Sequence, residues 1–270
     1  IILSGVMVKF DNLNPSISTQ TKVPFVGEIM VSRWAFEALA VNQFKNNAYE
    51  KHFYPYNKAM SNATYKNNVW QIKMQDMIDS LHQNKYGNQA DQKWITVNNE
   101  LEKEGIHKFS VYSTKQIIAK PVYNDVLNSL QQIKQTQQLI YKNASQLKDS
   151  VIATFDAAQL IALEQKYTNT NLSNLVLDKD NFEPIIISHN HLVQRYHPVY
   201  TNGSATSCVR SLFYVANKNF FGTYLSTYFV NLCVIWFFTI VLSVTLYFNT
   251  LRKILSWFNK RSLKKLPFKA

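Results

Sequence analysis

The sequence predicts a mainly α-helical membrane protein, with one C-terminal transmembrane helix, a helical extracytoplasmic domain before it and a few short strands. Three observations predict this fold class: a long charge-free run, a sustained heptad pattern and a cluster of positive charges at the end of the chain. The composition agrees, because only 17% of the 270 residues are charged, against about 25% in typical soluble domains.

The charge-free run defines the predicted transmembrane helix. No Asp, Glu, Lys or Arg occurs from Asn219 to Leu251, and the stretch from Leu225 to Phe248 is rich in Phe, Val, Leu and Ile. A hydrocarbon core of about 30 Å needs about 20 helical residues, so this stretch is long enough to span. We therefore expect a transmembrane segment within residues 220–250. Its apolar side chains are expected to include Leu225, Phe229, Leu232, Ile235 and Phe248.

The basic tail, residues 251–270, sets the predicted orientation. The net charge is +12, and the tail contains seven Lys or Arg and no acid. Positive flanks remain cytoplasmic, so the sequence predicts an integral protein of the plasma or inner membrane with residues 49–215 extracytoplasmic. The amphipathic pattern of the tail predicts contacts with anionic lipid of the inner leaflet; a disordered tail is the alternative. The expected lipid contacts are Arg252, Lys253, Lys260 and Arg261.

The charge outside the tail argues against nucleic acid as a partner. Without the tail, Lys and Arg outnumber Asp and Glu by only five over the rest of the chain. This excess is smaller than that of a phosphate-binding surface. We therefore expect membrane lipid, and no nucleic acid, among the partners.

Helical periodicity recurs through the outer segment. Val31 to Phe44 is predicted to be a helix with Ser32 as its N-cap, whereas Tyr49 to Tyr56, with its Pro55, is predicted to be irregular. A further helix is predicted where four apolar residues are spaced 4, 3, 4 and is expected to end at Gly87: Trp70, Met74, Met77 and Leu81. A shorter helix is predicted from Asp91 to Glu104.

The longest pattern is a heptad seam that predicts a long helix after Pro121. Its members alternate in spacing between four and three residues: Val126, Leu130, Ile133, Gln137, Ile140, Ala144, Leu147 and Val151. We expect the seam to pack against the Trp70–Leu81 helix as an antiparallel layer; a coiled coil with another chain is the alternative. A break near Phe155 is predicted because Asp156 and Gln159 form a capping pattern, with a second helix to about Tyr167.

Strand signals are few and short. Pro184 to Ser188 predicts a buried strand, and Lys108 to Ala119 alternates in part, which indicates a short strand. Cys208 to Val215 is predicted to be either another strand or an interfacial lead into the span.

No catalytic or phosphate-binding pattern is present in the sequence. The six glycines are isolated and none precedes Lys-Ser or Lys-Thr, so this chain is not predicted to bind ATP or to be an enzyme. The spacing of His189, His191 and His197 is compatible with a metal site, but no carboxylate or thiol completes a known ligand spacing. Ordinary loop histidines are therefore the favoured interpretation, and no metal or cofactor is expected.

Arg33 and Glu37 stand four residues apart on the first predicted helix and can form an ion pair. Such a pair is either a surface salt bridge of little energetic worth or a charge pair held near a membrane boundary.

Two segments near the start of the chain carry a family resemblance: Leu3-Ser-Gly-Val-Met-Val-Lys-Phe-Asp-Asn-Leu-Asn-Pro15 and Val31-Ser-Arg-Trp-Ala-Phe-Glu-Ala-Leu39. The start of the chain resembles the permease part of ABC transporters of the G subfamily.

This resemblance implies which part of a transporter each segment of the chain would form. Residues 1–48 are expected to comprise the end of another membrane helix and a re-entrant gate helix carrying Arg33, Trp34 and Glu37. The long segment that follows, residues 49–215, looks like the long external insertion of bacterial members, and the span of residues 220–250 would be the last membrane helix. The implied protein is an ATP-driven exporter that works as a homodimer. ATP and Mg²⁺ would bind in a nucleotide-binding domain, of the same or another chain, that is absent from this sequence.

A second function class fits the same topology. A C-terminally anchored surface or sensor protein with a helical ectodomain also needs one span, a basic tail and an outer helical segment. The two classes differ before Ile1, because a permease has further membrane spans there and a surface protein has a signal peptide.

Overall fold

The computed structural model describes residues 23–83, 87–113, 116, 120–203, 211–250, 252, 253 and 256. These residues form mostly helices with a few short strands, as the sequence predicts. The strands pair as two β-hairpins, which the sequence patterns do not predict. The helices are α1 Phe25–Ile29, α2 Val31–Asn46, α3 Glu50–Tyr65, α4 Gln71–His82, α5 Ala90–Lys103, α6 Lys120–Ile152, α7 Ala157–Tyr167, α8 Thr170–Val176 and α9 Thr227–Tyr247.

Two long antiparallel helical stretches form the frame of residues 49–215. One π-helical turn, Lys66–Trp70, joins α3 to α4 without interruption, and α6 packs along both helices. At one end Tyr123 Oη donates a hydrogen bond of 2.9 Å to Asp79 Oδ1. At the other end Lys148 Nζ donates one of 2.9 Å to Asn57 Oδ1. The antiparallel layer predicted for the heptad seam is therefore present within one chain.

The first half of the seam forms the larger hydrophobic core, where Val126, Leu130 and Ile133 are buried. The other members come from α4, α5 and their connections and include Trp70, Met74, Met77, Ile78, Leu81, Trp94, Val97, Leu101 and Phe109. Farther along α6 the predicted seam is buried only in part, because Ile140 and Leu147 are exposed whereas Ala144 is buried. A straight helix drifts by about 20° per heptad against a 3.5-residue repeat, so part of the seam turns away from the neighbouring helix.

The prediction of an irregular segment at Tyr49–Tyr56 is wrong, since these residues begin α3 with Pro55 inside the helix. Proline removes one helical hydrogen bond, and this cost favours a break in an isolated peptide. In the folded chain Phe53 and Tyr54 are buried on α3, and their packing outweighs the local preference.

Several predicted helix ends differ from the observed ones. Ser32 lies inside α2, and Met30 occupies the N-cap position without a side-chain hydrogen bond. The helix predicted to end at Gly87 ends at His82, whereas α5 agrees closely with its prediction. The break after α6 is confirmed, because the Asp156 carboxylate accepts hydrogen bonds from the Ala158 and Gln159 amides.

Each hairpin has a two-residue turn whose residues adopt the left-handed backbone conformation. Strand β1, Ile185–Ser188, pairs with β2, His191–Gln194, and β3, Asn217–Phe220, pairs with β4, Thr223–Ser226. Both central residues have positive φ in each turn, at His189 and Asn190 and at Phe221 and Gly222, as two-residue hairpins of this twist require.

The other strand predictions agree less closely with the structure. The predicted strand at Pro184–Ser188 exists but is only half-buried. Residues 108–113 and 211–215 are turns or irregular rather than strands, and residue 116 is helical. The remaining residues of those two predictions lie outside the described residues.

A second core lies between α2 and the chain that leads to α9. Its buried members are Ala40, Val41, Phe44, Tyr54, Val176, Val199, Tyr200, Tyr214 and Ala216. Helix α2 contacts α3 and α8 in this region, and it also packs against α9. Helix α2 therefore connects the helical segment of residues 49–215 to the C-terminal helix α9.

Helix α9 is long and apolar enough to cross a membrane, and no other helix in the described part of the chain meets both conditions. It buries Thr227, Val230 and Asn231 in its first turns. Phe229 and Leu232 are exposed and Ile235 is partly exposed. Two boundary predictions are corrected, because Leu225 lies in β4 and Phe248 follows the helix as its C-cap. Arg252 and Lys253 are helical and exposed, whereas Lys260 and Arg261 lie outside the described residues.

Candidate functional site

Four buried polar side chains meet where α2 crosses the start of α9. Arg33 and Glu37 come from α2, Lys218 from β3 and Asn231 from α9, and at most 1% of each residue is exposed. Arg33 and Glu37 face the same way because residues four apart lie on one face of a helix. The predicted ion pair is present, and its interpretation as a surface salt bridge is wrong. We call these four residues the buried charge network.

The carboxylate of Glu37 is the centre of the network. Its Oε2 atom accepts hydrogen bonds from Arg33 (3.0 Å), Lys218 (2.6 Å) and the Asn231 amide (2.9 Å). Its Oε1 atom accepts one of 3.2 Å from the Tyr214 backbone amide. One side chain thereby connects α2, the segment before β3, β3 itself and α9.

Asn231 bonds to three separate groups. Its Nδ2 donates to Glu37 and, at 3.0 Å, to the backbone carbonyl of Trp34, while its Oδ1 accepts a 3.0 Å hydrogen bond from Lys218. A polar side chain inside an apolar helix is costly unless it finds such partners. Asn231 therefore fixes the rotation of α9 against α2.

Together with Glu28 on α1, the network is balanced in charge. The guanidinium of Arg33 also donates a 2.6 Å hydrogen bond to Glu28 on α1. Two carboxylates thus alternate with two cations along the chain Glu28, Arg33, Glu37 and Lys218. A buried charge is tolerated only when a partner compensates it, so removing one member leaves another uncompensated.

Protonation of the two central groups follows from burial and from their neighbours. Burial opposes ionisation of Glu37, but the positive charges of Lys218 and Arg33 outweigh it and hold the pKa of this carboxyl below its ordinary value. For Lys218 burial has the larger effect: it outweighs the attraction of Glu37 and lowers the pKa of the amine.

The indole of Trp34 covers the network on one side. The Arg33 guanidinium lies 3.6 Å and the Lys218 amine 4.5 Å from the centre of the ring, which adds cation–π attraction. The indole N–H donates a 2.8 Å hydrogen bond to the Glu28 carbonyl. All three predicted gate residues, Arg33, Trp34 and Glu37, are therefore parts of one buried assembly.

Sequence reasoning did not single out Lys218 and Asn231. Lys218 was visible only as the last charge before the apolar run. Asn231 carried the stronger signal, because it is the one asparagine inside the run that became α9. An isolated amide in such a segment indicates a specific partner, but the sequence does not indicate which residue that partner is.

The three histidines of the possible metal site are separated in the fold. His189 occupies the β1–β2 turn and His191 follows in β2. His197 lies apart, and its Nδ1 is 2.7 Å from the Ser61 hydroxyl. Within the described ranges, no group of three or more His, Cys, Asp or Glu residues is placed to hold a metal ion.

His197 predicts a pH dependence of stability. Burial, with a smaller contribution from Lys179, lowers the pKa of His197 from 6.5 to about 4. The folded chain thus favours the neutral ring, so the stabilisation is present above pH 6.5 and is lost as the pH falls towards 4. We expect the free energy of unfolding, measured by urea denaturation in micelles, to be lower at pH 5 than at pH 7.

The His197→Asn variant is expected to flatten this dependence. Asparagine tolerates the left-handed backbone of residue 197 but has no proton to gain. The control is His107→Asn, at an exposed position, which should retain the wild-type pH dependence. An unchanged pH dependence in His197→Asn would contradict the assignment.

The chain matches no protein-family model, no curated protein and no solved structure.

Proposed function

We propose that this chain is the C-terminal part of the permease of an ATP-driven exporter similar to the G subfamily of ABC transporters. In this proposal α9 is the last transmembrane helix, α2 is the outer gate helix, and the helical segment of residues 49–215 is the external domain. ATP is hydrolysed in a nucleotide-binding domain of the same or another chain, and the exporter works as a homodimer.

The observation that carries the proposal is the attachment of α2 to α9 through Glu37. The motif that resembles the transporter family, Arg33-Trp34-Ala35-Phe36-Glu37, lies on the helix that packs against the candidate membrane helix. Its two charged residues are buried there rather than exposed to solvent. A gate helix has to follow the motion of a membrane helix, and this contact supplies a rigid link.

The energetics favour a joint movement of α2 and α9. Removing one partner of a buried ion pair is destabilising by about 3–5 kcal/mol. Separating α2 from α9 and β3 would break the hydrogen bonds of Glu37 with Lys218 and Asn231 in one step. We infer that a displacement of α9, driven by ATP binding on the cytoplasmic side, moves α2 and the external domain with it.

The test uses the full-length protein in nanodiscs, with a reporter on α2. Leu39 is an exposed residue of α2, and the reaction of a Leu39→Cys variant with a maleimide reports a change at the gate. The background carries Cys208→Ser and Cys233→Ser. Mg-ATP with vanadate is expected to change the labelling rate. Asn231→Leu should reduce this response more than about fivefold, the lower end of typical coupling factors.

The matched control is Asn46→Leu, because Asn46 lies on α2 but bonds only to Asn42 at the surface. It should leave the ATP response intact. A full-length protein that carries a signal peptide instead of further spans before Ile1 would contradict the exporter. That outcome would favour the anchored surface or sensor protein with a helical ectodomain.

A further inference from the structure

Three elements around the buried charge network carry exposed apolar side chains. On α1 these are Phe25, Val26 and Ile29; at the β3–β4 hairpin they are Phe221 and Tyr224; and at the start of α9 they are Tyr228 and Phe229. The most exposed is Phe221, at 84%. We call these seven residues the apolar collar.

The two described segments that carry the collar lack exposed charge. Between Val23 and Met30 the only charged residue is Glu28, which is held by Arg33. Between Asn217 and Phe248 the only one is Lys218, which is fully buried. An aromatic surface without charge is unfavourable in water and is typical of a lipid or protein contact.

The hairpin runs beside the first turns of α9. The amide of Thr227 donates to the Ala216 carbonyl at 3.1 Å, and Lys218 reaches Asn231. The step from Ala216 to Lys218 is about 6.6 Å of strand, and the step from Thr227 to Asn231 is about 6 Å of helix. The strand and the helix therefore advance in the same direction. The tip at Phe221 and Gly222 accordingly points along the body of α9.

The direction of the hairpin places the Phe221 tip on the membrane side of Asn231, and Tyr228 and Phe229 lie within one turn of Asn231 on α9. Aromatic side chains favour the level of the lipid headgroups. Both strands contact α9, and β4 runs into it directly at Ser226, whose hydroxyl caps the helix by accepting from the Phe229 amide. If α9 spans the bilayer, the collar is continuous with the lipid-facing surface of the span.

We propose that the apolar collar is a lipid-contact surface, with the Phe221 tip and α1 inserted into the outer interfacial layer of the bilayer. This inference rests on the proposed function in one respect, namely that α9 crosses the membrane. Its consequence is mechanical. The buried charge network then lies at the level of the outer interfacial layer, and the collar holds α1 and the hairpin at that depth.

The experiment measures depth with spin labels on the full-length protein in lipid vesicles. Single cysteines are introduced in a Cys208→Ser, Cys233→Ser background, and collision rates are compared for oxygen, which concentrates in lipid, and a water-soluble nickel chelate. The probe position is Phe221→Cys. The matched control is Phe182→Cys, another aromatic with 96% exposure, located between α8 and β1. A reference inside the span is Ile240→Cys.

We expect the spin label at position 221 to collide several-fold more often with oxygen than with the nickel chelate. The label at position 182 should collide more often with the nickel chelate. A label at 221 that behaves like the one at 182 would overturn the inference. Shielding of label 221 from both reagents would overturn it as well, because a protein surface would then cover the tip. An aqueous signal at Ile240 would contradict the membrane span itself, so failure of the proposed function is distinguishable from failure of the collar.

Discussion

Replacing Glu37 with alanine is expected to lower the free energy of unfolding by about 3–5 kcal/mol, the typical cost of leaving a buried charge without its partner. The carboxylate accepts four hydrogen bonds, and its removal leaves Lys218 fully buried beside Asn231 with no acid in contact. Arg33 keeps its ion pair with Glu28, so most of the lost free energy of unfolding comes from the uncompensated amine of Lys218. The measurement is denaturant-induced unfolding in micelles, followed by tryptophan fluorescence.

A double-mutant cycle separates the ion pair from a general loss of packing. Met is unbranched and similar in length to both side chains, so Glu37→Met combined with Lys218→Met replaces the pair by apolar contacts. Such replacements are often neutral or stabilising. We expect the double variant to be more stable than Glu37→Met alone, with a coupling energy above about 1 kcal/mol. Additive effects of the two substitutions would contradict a direct Glu37–Lys218 interaction.

A second large effect is expected at Glu100, a buried residue on α5. Its carboxylate accepts hydrogen bonds from the Trp70 indole and from the Leu192 backbone amide, both at 3.0 Å. Lys103 bonds to the same carboxylate from the exposed side. Glu100→Ala leaves the indole and the amide without acceptors, at about 1–3 kcal/mol each. We therefore expect the free energy of unfolding to fall by about 2–6 kcal/mol, the sum of these two costs.

Glu104 supplies the matched control for Glu100. It lies one turn farther along the same segment and pairs with Lys66 at 2.6 Å, with both side chains partly exposed. A partly exposed pair of this kind contributes about 0–1 kcal/mol, so Glu104→Ala should have little effect. Equal losses in the two variants, measured by the same unfolding experiment, would show that the buried acceptor is not what matters at Glu100.

Local patterns predicted much of the helical frame. The apolar spacing of Trp70, Met74, Met77 and Leu81 found the face that is buried in α4, and Asp156 marked the start of α7 because a cap is a local interaction. Pro55 misled the prediction for α3. The burial of Phe53 and Tyr54 that overrides the proline depends on partners distant in sequence, and a single sequence does not contain that information.

The candidate site was predictable on one helix and not across helices. Arg33 and Glu37 were paired by their spacing of four residues, which is a property of any helix. Whether that pair was exposed depended on Lys218 and Asn231, which lie at the opposite end of the chain. Their approach is set by the packing of α2 on α9, and no local pattern encodes it.

The most direct test of the account is the topology of α9 in intact spheroplasts. Single cysteines at Lys142, an exposed residue of α6, and at Lys265 in the basic tail are treated with a membrane-impermeant maleimide, in a background without Cys208 and Cys233. We expect labelling of the Lys142→Cys variant on intact spheroplasts and labelling of the Lys265→Cys variant only after permeabilisation. The reverse pattern, or equal labelling of both variants before permeabilisation, would contradict a span that holds the helical segment outside and the positive tail inside.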